Sequence, residues 1–119
     1  MQKHKSFENK SLNLVAERFR ILGEPLRLQL LHLLGNAEMS VGALVEASGA
    51  TQANVSKHLQ ILLRAGLVER RKDGLQAFYR IADASIFTLC ELVCGRLSEQ
   101  FQKDLSAIGS LRHPRRASR

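Results

Sequence analysis

The side chains best suited to recognition chemistry lie in residues 51–68, which combine short amides, a hydroxyl and cations in one amphipathic stretch. With about 100° of rotation per residue, its apolar and polar residues fall on opposite sides of a single helix. The outward side carries Ala53, Asn54, Lys57, Gln60 and Arg64. Short groups near the start of the helix can approach base edges, and longer cations near its end can reach phosphates. The pattern favours a helix that reads DNA, although an isolated amphipathic helix is often only a solvated surface.

Both ends of this helix are marked by residues that limit helices. Thr51 is a favourable N-cap, because its hydroxyl can accept a hydrogen bond from the first turn. Gly66 suits the left-handed residue that ends a helix. Residues 48–50 form a short turn after a third predicted helix, which Ser40 caps. Two helices joined by so short a turn are typical of a helix-turn-helix, in which the second helix enters the DNA groove.

A change of periodicity after this helix predicts a β-hairpin. Residues 67–72 and 75–81 flank Asp73 and Gly74, which form a strong two-residue turn signal. Four cations lie near its tip or on its return strand: Arg70, Arg71, Lys72 and Arg80. Such a wing can touch the DNA backbone or enter the adjacent minor groove. Basic edge strands are also common as solvated surface, but the neighbouring helix-turn-helix favours a DNA contact.

The remaining pattern predicts a mainly α protein with a small β-hairpin wing, in the order α-α-α-α-β-β-α. The first helix, residues 8–22, has apolar residues on two sides, and the second is apolar nearly all round, so it belongs in the core. We expect a winged helix-turn-helix that dimerises through its first and last helices. The predicted segments are a flexible N-terminal arm (1–7), a DNA-binding and dimerisation domain (8–107) and a basic C-terminal tail (108–119).

Composition restricts the function further. The 119 residues carry 18 lysines and arginines against 11 aspartates and glutamates, a formal charge of +7 that favours a polyanionic partner. The chain contains no phosphate-binding glycine loop, paired-carboxylate pattern or Ser-His-Asp arrangement, so we do not expect an enzyme. We find no signal-peptide pattern and no apolar run of about 18 residues, so we expect a cytoplasmic protein without a membrane partner.

Cys90 and Cys94 are one helical turn apart on the last predicted helix, residues 85–107. Cys90 lies near the centre of an apolar stripe and Cys94 at its edge. Both can simply pack there, because cysteine behaves as a small buried hydrophobe. Alternatively, the thiols, repeated by dimer symmetry, can bind a soft ion such as arsenite or copper(I), or react with an oxidant or a sulfur species.

Two separated motifs give the chain a resemblance to a known family. Residues 19–28, FRILGEPLRL, are similar to the opening motif of the ArsR/SmtB-type winged-helix transcriptional repressors, and residues 52–68 resemble their recognition helix and its exit. The resemblance covers roughly residues 12–104. It implies a homodimer that binds an inverted-repeat operator in double-stranded DNA, represses transcription and releases the DNA when an inducer binds.

Carried over by position, the resemblance also implies which residues meet DNA. The set comprises Thr51, Gln52, Ala53, Asn54, Ser56, Lys57, His58 and Arg64 on the reading helix, with Arg71 and Lys72 on the wing. Ser56 and His58 lie nearer the flanks of the helical wheel, and a buried capping role for His58 is an equal alternative.

The family's familiar metal sites are not expected in this chain. The thiolate site would fall on residues 41–47, which contain no cysteine, and the last-helix zinc site needs histidines that residues 83–100 lack. Zinc or nickel sensing by imidazole and carboxylate ligands therefore has little support, and we expect that no cofactor is required. The alternative function is an architectural or non-specific DNA-binding protein held by charge.

Overall fold

The structure, a computed structural model, describes the backbone of residues 2–109 and the side chains of residues 9–104. The helices and strands of the described residues are α1 (Gln2–Leu22), α2 (Pro25–Leu34), β1 (Met39–Ser40), α3 (Val41–Ser48), α4 (Gln52–Arg64), β2 (Val68–Asp73), β3 (Gln76–Ile81) and α5 (Ser85–Gly109). The predicted winged helix-turn-helix is confirmed, and β1 adds a third strand to the predicted hairpin.

The largest difference from the predicted boundaries lies at the N-terminus. α1 begins at Gln2 rather than near residue 8, so residues 2–7, predicted as an arm, have helical backbone. Glutamine and lysine, which make up half of residues 2–7, favour helix, so a polar composition did not distinguish an arm from a helical turn. At the other end, the predicted tail lies almost entirely outside the described residues.

The chain divides after Asp83 into two compact units. In the first unit α2 contacts α1, α3, α4 and β3, so the nearly all-apolar helix is central, as predicted. The fully buried side chains are aliphatic: Leu30, Leu34, Leu44, Val55, Leu59, Leu62 and Leu67. Three of them, Val55, Leu59 and Leu62, belong to α4 and form its packed side. This burial fixes which side of α4 remains for solvent.

Local backbone chemistry sets the ends of α3 and α4. The Ser40 hydroxyl accepts a hydrogen bond from the N–H of Ala43 (3.1 Å), and the Thr51 hydroxyl accepts one from the N–H of Asn54 (3.1 Å). After α4, Gly66 has φ +78° and donates to the carbonyl of Leu63 (3.0 Å). The next N–H, that of Leu67, reaches back to Leu62 (3.0 Å), which completes a Schellman motif. Both predicted caps of the reading helix are confirmed.

The wing is a three-stranded antiparallel sheet in the order β1-β3-β2. Asp73 pairs with Gln76, so the two central residues of the turn are Gly74 and Leu75, rather than the predicted Asp73 and Gly74. Gly74 has φ +67°, and Leu75 does not have a positive φ. A positive φ at the first central position alone is the pattern of a type II′ turn, which takes glycine there.

The junction between α1 and α2 joins three helices through Arg27. Glu24 is the N-cap of α2, and its carboxylate accepts hydrogen bonds from the N–H groups of Leu26 (2.9 Å) and Arg27 (3.4 Å). The Arg27 Nε donates to the carbonyl of Ile21 in α1 (2.6 Å). Its Nη1 donates to Nδ1 of His58 in α4 (3.0 Å). Through Arg27, the opening motif therefore connects α1 and α2 to α4.

His58 is buried, so the structure corrects the prediction that it faces DNA and supports the buried alternative. Because arginine keeps all its protons, Nδ1 of His58 must accept from Arg27, and the ring proton lies on Nε2. That atom faces the Glu24 carboxylate at 4.0 Å. Burial lowers the pKa of His58; Glu24 opposes this shift, whereas Arg27 and Lys57 add to it. The neutral imidazole is the form that packs here.

Acidification should therefore destabilise the fold through His58. The unfolded chain binds a proton near the ordinary pKa of about 6.5, whereas the folded chain resists protonation until lower pH. The free energy of unfolding is thus unaffected by this group above about pH 6.5 and falls as the pH drops below it. Urea unfolding between about pH 7.5 and 5 should show a smaller pH slope for His58→Gln than for the wild type.

The matched control is His32→Gln, which removes an exposed histidine of α2. It leaves the contact between Arg27 and His58 intact, so the pH dependence that His58 causes should remain. Equal slopes in His58→Gln and the wild type would show that the buried imidazole does not resist protonation.

Candidate nucleic-acid interface

The exposed face of α4 starts at its N-terminus. The exposed residues are the N-cap Thr51 and, within α4, Gln52, Ala53, Asn54, Lys57 and Arg64. The Thr51 hydroxyl caps the helix, whereas the side chains of Gln52, Asn54 and Lys57 have no hydrogen-bond or ion-pair partner among residues 9–104. The first turn carries no acidic residue, so nothing on it opposes the positive end of the helix dipole. α4 thus presents hydrogen-bonding groups that the described fold does not use.

Two polar residues of α4 lie closer to the body of the first unit. Ser56 is half-buried, in agreement with its flanking position on the helical wheel. Gln60, which the wheel placed outward, is also half-buried, and its Nε2 donates to the Tyr79 hydroxyl at 3.5 Å. This long hydrogen bond connects α4 to β3, so Gln60 supports the reading helix.

The wing has two chemically different faces. Successive side chains of a strand point to opposite sides, and residues paired across strands share a side. The inner face contains Val68, Arg70, Lys72, Ala77, Tyr79 and Ile81, whereas the outer face contains Glu69, Arg71, Asp73, Gln76, Phe78 and Arg80. Val68 and Tyr79 are buried, and β2 contacts α4, so the inner face is the one that packs toward the helices.

Acidic partners neutralise the cations of the outer face. Arg71 donates two hydrogen bonds to the Glu38 carboxylate (3.0 and 2.8 Å), and its guanidinium lies over the ring of Phe78, 4.7 Å from the centroid. These hydrogen bonds hold the pKa of Glu38 below its ordinary value. Arg80 pairs with Glu69, whose Oε1 lies 2.9 Å from Nε and 2.8 Å from Nη2 of the guanidinium. The predicted DNA contact of Arg71 would therefore compete with an existing bidentate ion pair.

The cations of the inner face are different. Arg70 and Lys72 are exposed and form no ion pair or side-chain hydrogen bond with the side chains that the structure describes. Lys72 is one of the predicted wing contacts, whereas Arg70 is absent from the set that the family resemblance implies. Strand alternation could have identified it, because Arg70 and Lys72 share a side with the apolar Val68.

The second unit contains α5, which carries the two thiols. Cys90 is half-buried, Cys94 is exposed, and both are free. Around them α5 exposes four large apolar side chains: Leu92, Val93, Leu97 and Phe101. No group of three or more potential metal ligands occurs among the described residues. None of the described helices combines the length and apolar character that a membrane crossing needs.

In the first unit, α1 also exposes a set of apolar side chains, Leu12, Leu14, Val15 and Phe19. Of these, Leu12, Val15 and Phe19 recur at helical spacing and form one stripe. A contiguous exposed apolar surface of this kind is typical of an interface.

Comparison with known proteins agrees with this geometry. A family model described as a helix-turn-helix domain matches residues 22–71, the segment from the end of α1 to Arg71 in the wing. The HTH-type transcriptional regulator KmtR of Mycobacterium tuberculosis is 36% identical over 104 residues, which cover 87% of this chain and 75% of KmtR.

Solved structures give the same result. The solution structure of a homodimeric winged helix-turn-helix DNA-binding domain from Mycobacterium bovis, a possible ArsR-family transcriptional regulator, matches with a TM-score of 0.71 and 34% identity. The match covers 81% of this chain and 89% of that one. The transcriptional repressor BigR of Xylella fastidiosa matches with a TM-score of 0.65 and 34% identity, over 75% of this chain and 91% of BigR. The present chain belongs to the ArsR/SmtB-type family of winged-helix transcriptional regulators, which are DNA-binding proteins rather than enzymes.

Proposed function

We propose that this chain is a homodimeric repressor that binds an inverted-repeat operator and releases it when an inducer acts on Cys90 and Cys94. The observation that carries the DNA part is the free polar face of α4. Gln52 and Asn54 are exposed near the start of the helix and have no partner within the described fold. Amide side chains can bind adenine through two hydrogen bonds, whereas charge alone does not distinguish bases.

The cations divide into two groups around these amides. Lys57 and Arg64 lie farther along α4, and Arg70 and Lys72 lie on the inner face of the wing. Their charges are not neutralised by the described side chains, so they can bind phosphates on both sides of the bases that α4 reads. A purely architectural protein needs such cations but gains nothing from exposed amides, and the amides therefore favour sequence-specific binding.

Dimerisation is supported by the exposed apolar side chains of α1 and α5. Covering them with a second copy removes apolar surface from water, which is the main favourable contribution to association. The Mycobacterium bovis relative is a homodimer. Two identical reading helices related by a two-fold axis require an inverted repeat, with half-sites about 34–36 Å apart for one turn of DNA.

The thiols are the proposed site of induction. Cys94 is exposed and Cys90 partly so, hence both are open to a small reagent in the single chain. Soft ions such as arsenite or copper(I) prefer thiolates, and oxidants or polysulfides modify them. Because the thiols lie on an amphipathic helix that we assign to the dimer interface, a bound or oxidised form would change the spacing of the two reading helices.

The first test concerns sequence specificity. An operator selected from a random duplex pool should bind the wild type at least about a thousandfold more tightly than scrambled DNA of the same length in moderate salt. Asn54→Ala should bind the operator about tenfold or more weakly, because the base that Asn54 contacts would lose its hydrogen bonds to the protein. Fluorescence anisotropy measures both affinities. Asn36→Ala, which removes an exposed amide outside α4, is the matched control.

Equal wild-type affinities for operator and scrambled duplex would favour the architectural alternative. A loss for Asn36→Ala as large as that for Asn54→Ala would contradict the assignment of the reading face.

The second test separates the two faces of the wing. Removing one cation that binds a phosphate of the duplex reduces the salt slope of log K by about 0.9. The double variant Arg70→Ala, Lys72→Ala should therefore lower the slope by about 3 to 4 in a symmetric dimer. The double variant Arg71→Ala, Arg80→Ala removes the same charge from the outer face, where both arginines have carboxylate partners, and should change the slope less.

A larger slope change for the outer-face variant would mean that Arg71 leaves Glu38 to bind DNA. It would restore the wing contact that the family resemblance implies.

The third test concerns induction. Cys90→Ser, Cys94→Ser should bind the operator as the reduced wild type does, because neither side chain belongs to the DNA face. It should no longer release the operator with arsenite, copper(I), polysulfide or peroxide, each titrated separately against the wild type by anisotropy. The single variants show whether both sulfurs are needed. Normal release by the double variant with every reagent would exclude the thiols as the inducer site.

A further inference from the structure

The tip of the wing ends in an unprotected apolar side chain. Leu75 has a relative exposure of 105%, higher than that of any other large hydrophobic residue among those described. It occupies the second central position of the turn after Gly74, where its φ is not positive, so the backbone there accepts most residue types. Polar residues and glycine are the usual choice in tight turns. Neither folding nor the turn geometry explains a leucine at this position.

The paired strands fix the position of the turn backbone that carries this side chain. Six residues of β2 pair with six of β3, from Val68 with Ile81 to Asp73 with Gln76. At about 3.3 Å per residue, strands of this length carry the turn roughly 20 Å from the base of the wing. The bound conformation is therefore largely formed in advance, which reduces the entropy that ordering a flexible loop would cost.

The charges near the tip favour an anionic partner. Arg70 and Lys72 lie on the inner face, exposed and unpaired among the described side chains. The acidic residue next to the turn, Asp73, lies on the outer face with its carboxylate 3.6 Å from the Arg71 guanidinium. The tip thus combines one apolar side chain with unneutralised positive charge on the side that packs toward α4.

We propose that Leu75 inserts into the minor groove of the operator beside the half-site read by α4. There it would pack against deoxyribose and base edges and partly unstack one base step. Leucine is one of the apolar wedges that minor-groove proteins use for this purpose. The neighbouring cations favour a narrow groove with strong negative potential, as in A·T-rich DNA. The inference rests on the proposed operator binding and adds a second site of sequence preference outside the α4 contacts.

The chemistry distinguishes this contact from simple charge attraction. A lysine or arginine at position 75 would strengthen phosphate binding on any duplex. A leucine contributes to binding only where its methyl groups are removed from water. This requires a minor groove that admits them and a base step that deforms easily. Pyrimidine–purine steps unstack most easily, so the wing should prefer them at one fixed distance from each half-site.

The test uses the full chain, the selected operator and a shortened operator that keeps both α4 half-sites but lacks the flanking base pairs. Leu75→Ala should weaken binding to the full operator by about five- to tenfold, in line with the loss of two or three partly buried methyl or methylene groups. It should have no effect on the shortened operator, where the wild type should already have fallen to the level of the variant. Leu28→Ala, at an exposed leucine of α2, is the matched protein control.

A second readout reports the insertion directly. 2-Aminopurine placed at successive flanking steps should brighten at one step when the wild type binds and stay quenched with Leu75→Ala, because unstacking relieves its quenching. The far-UV spectrum and thermal midpoint should be equal for both proteins, since Leu75 is fully exposed.

The outcomes separate this inference from the proposed function. If the wild type prefers the operator but Leu75→Ala binds every duplex equally well, the wedge is excluded and the repressor proposal stands. If the wild type binds the operator and a duplex with scrambled half-sites but unchanged flanks equally well, and Leu75→Ala still abolishes the 2-aminopurine signal, the wedge stands and sequence-specific reading by α4 fails. Equal losses on the full and the shortened operators would also overturn the wedge, because the flanking groove would then not be its site.

Discussion

The orientation of the reading face depends on one guanidinium group, that of Arg27. It donates to the last turn of α1 at Ile21 and to the buried imidazole of His58 in α4, and it belongs to the first turn of α2. Because successive residues of a helix are rotated by about 100°, holding His58 inward fixes the rotation of all of α4. Asn54 and Lys57 then face solvent. Burial of Val55, Leu59 and Leu62 favours the same rotation of α4. The hydrogen bonds of Arg27 and the apolar core therefore stabilise the same orientation of the helix.

The net charge of the chain indicates an anionic partner, but it does not show which surface of the wing binds that partner. The chain carries a formal charge of +7, yet the arginines of the outer face are neutralised by Glu38 and Glu69. An exposed ion pair contributes little to stability. The more important effect of these two ion pairs is on charge. They neutralise Arg71 and Arg80, so Arg70 and Lys72 are the cations of the described wing without an acidic partner. Because successive side chains of a strand point to opposite faces, only Arg71 of the three consecutive basic residues 70–72 is paired with a carboxylate among the described side chains. Arg70 and Lys72 lie on the other face and can bind phosphate.

Periodicity, caps and glycine stops predicted most of the first unit, because α4 and its turn are specified by nearby residues such as Thr51 and Gly66. Contacts between distant residues were not predictable in this way. The partner of Arg71 is Glu38, 33 positions earlier in the chain, and that of His58 is Arg27, 31 positions earlier. The hairpin turn was wrong by one residue for a local reason: Asp73 and Gly74 fit a type I′ turn, but glycine also fits the first position of type II′.

The winged helix-turn-helix elements and the two thiols belong to different parts of the chain. The first unit contains α4, the wing and the hydrogen bonds of Arg27, whereas the second contains both thiols. Arg18 of α1 donates to the Ala65 carbonyl at the end of α4 (3.2 Å) and lies 3.9 Å from Asp83, the last residue of the first unit. The ion pair is partly exposed and hence weak. Under the induction proposed above, a change at Cys90 or Cys94 would act through the spacing of the two α4 helices in a dimer. The groups that orient α4 within the first unit, Arg27, His58 and the aliphatic core, include no thiol.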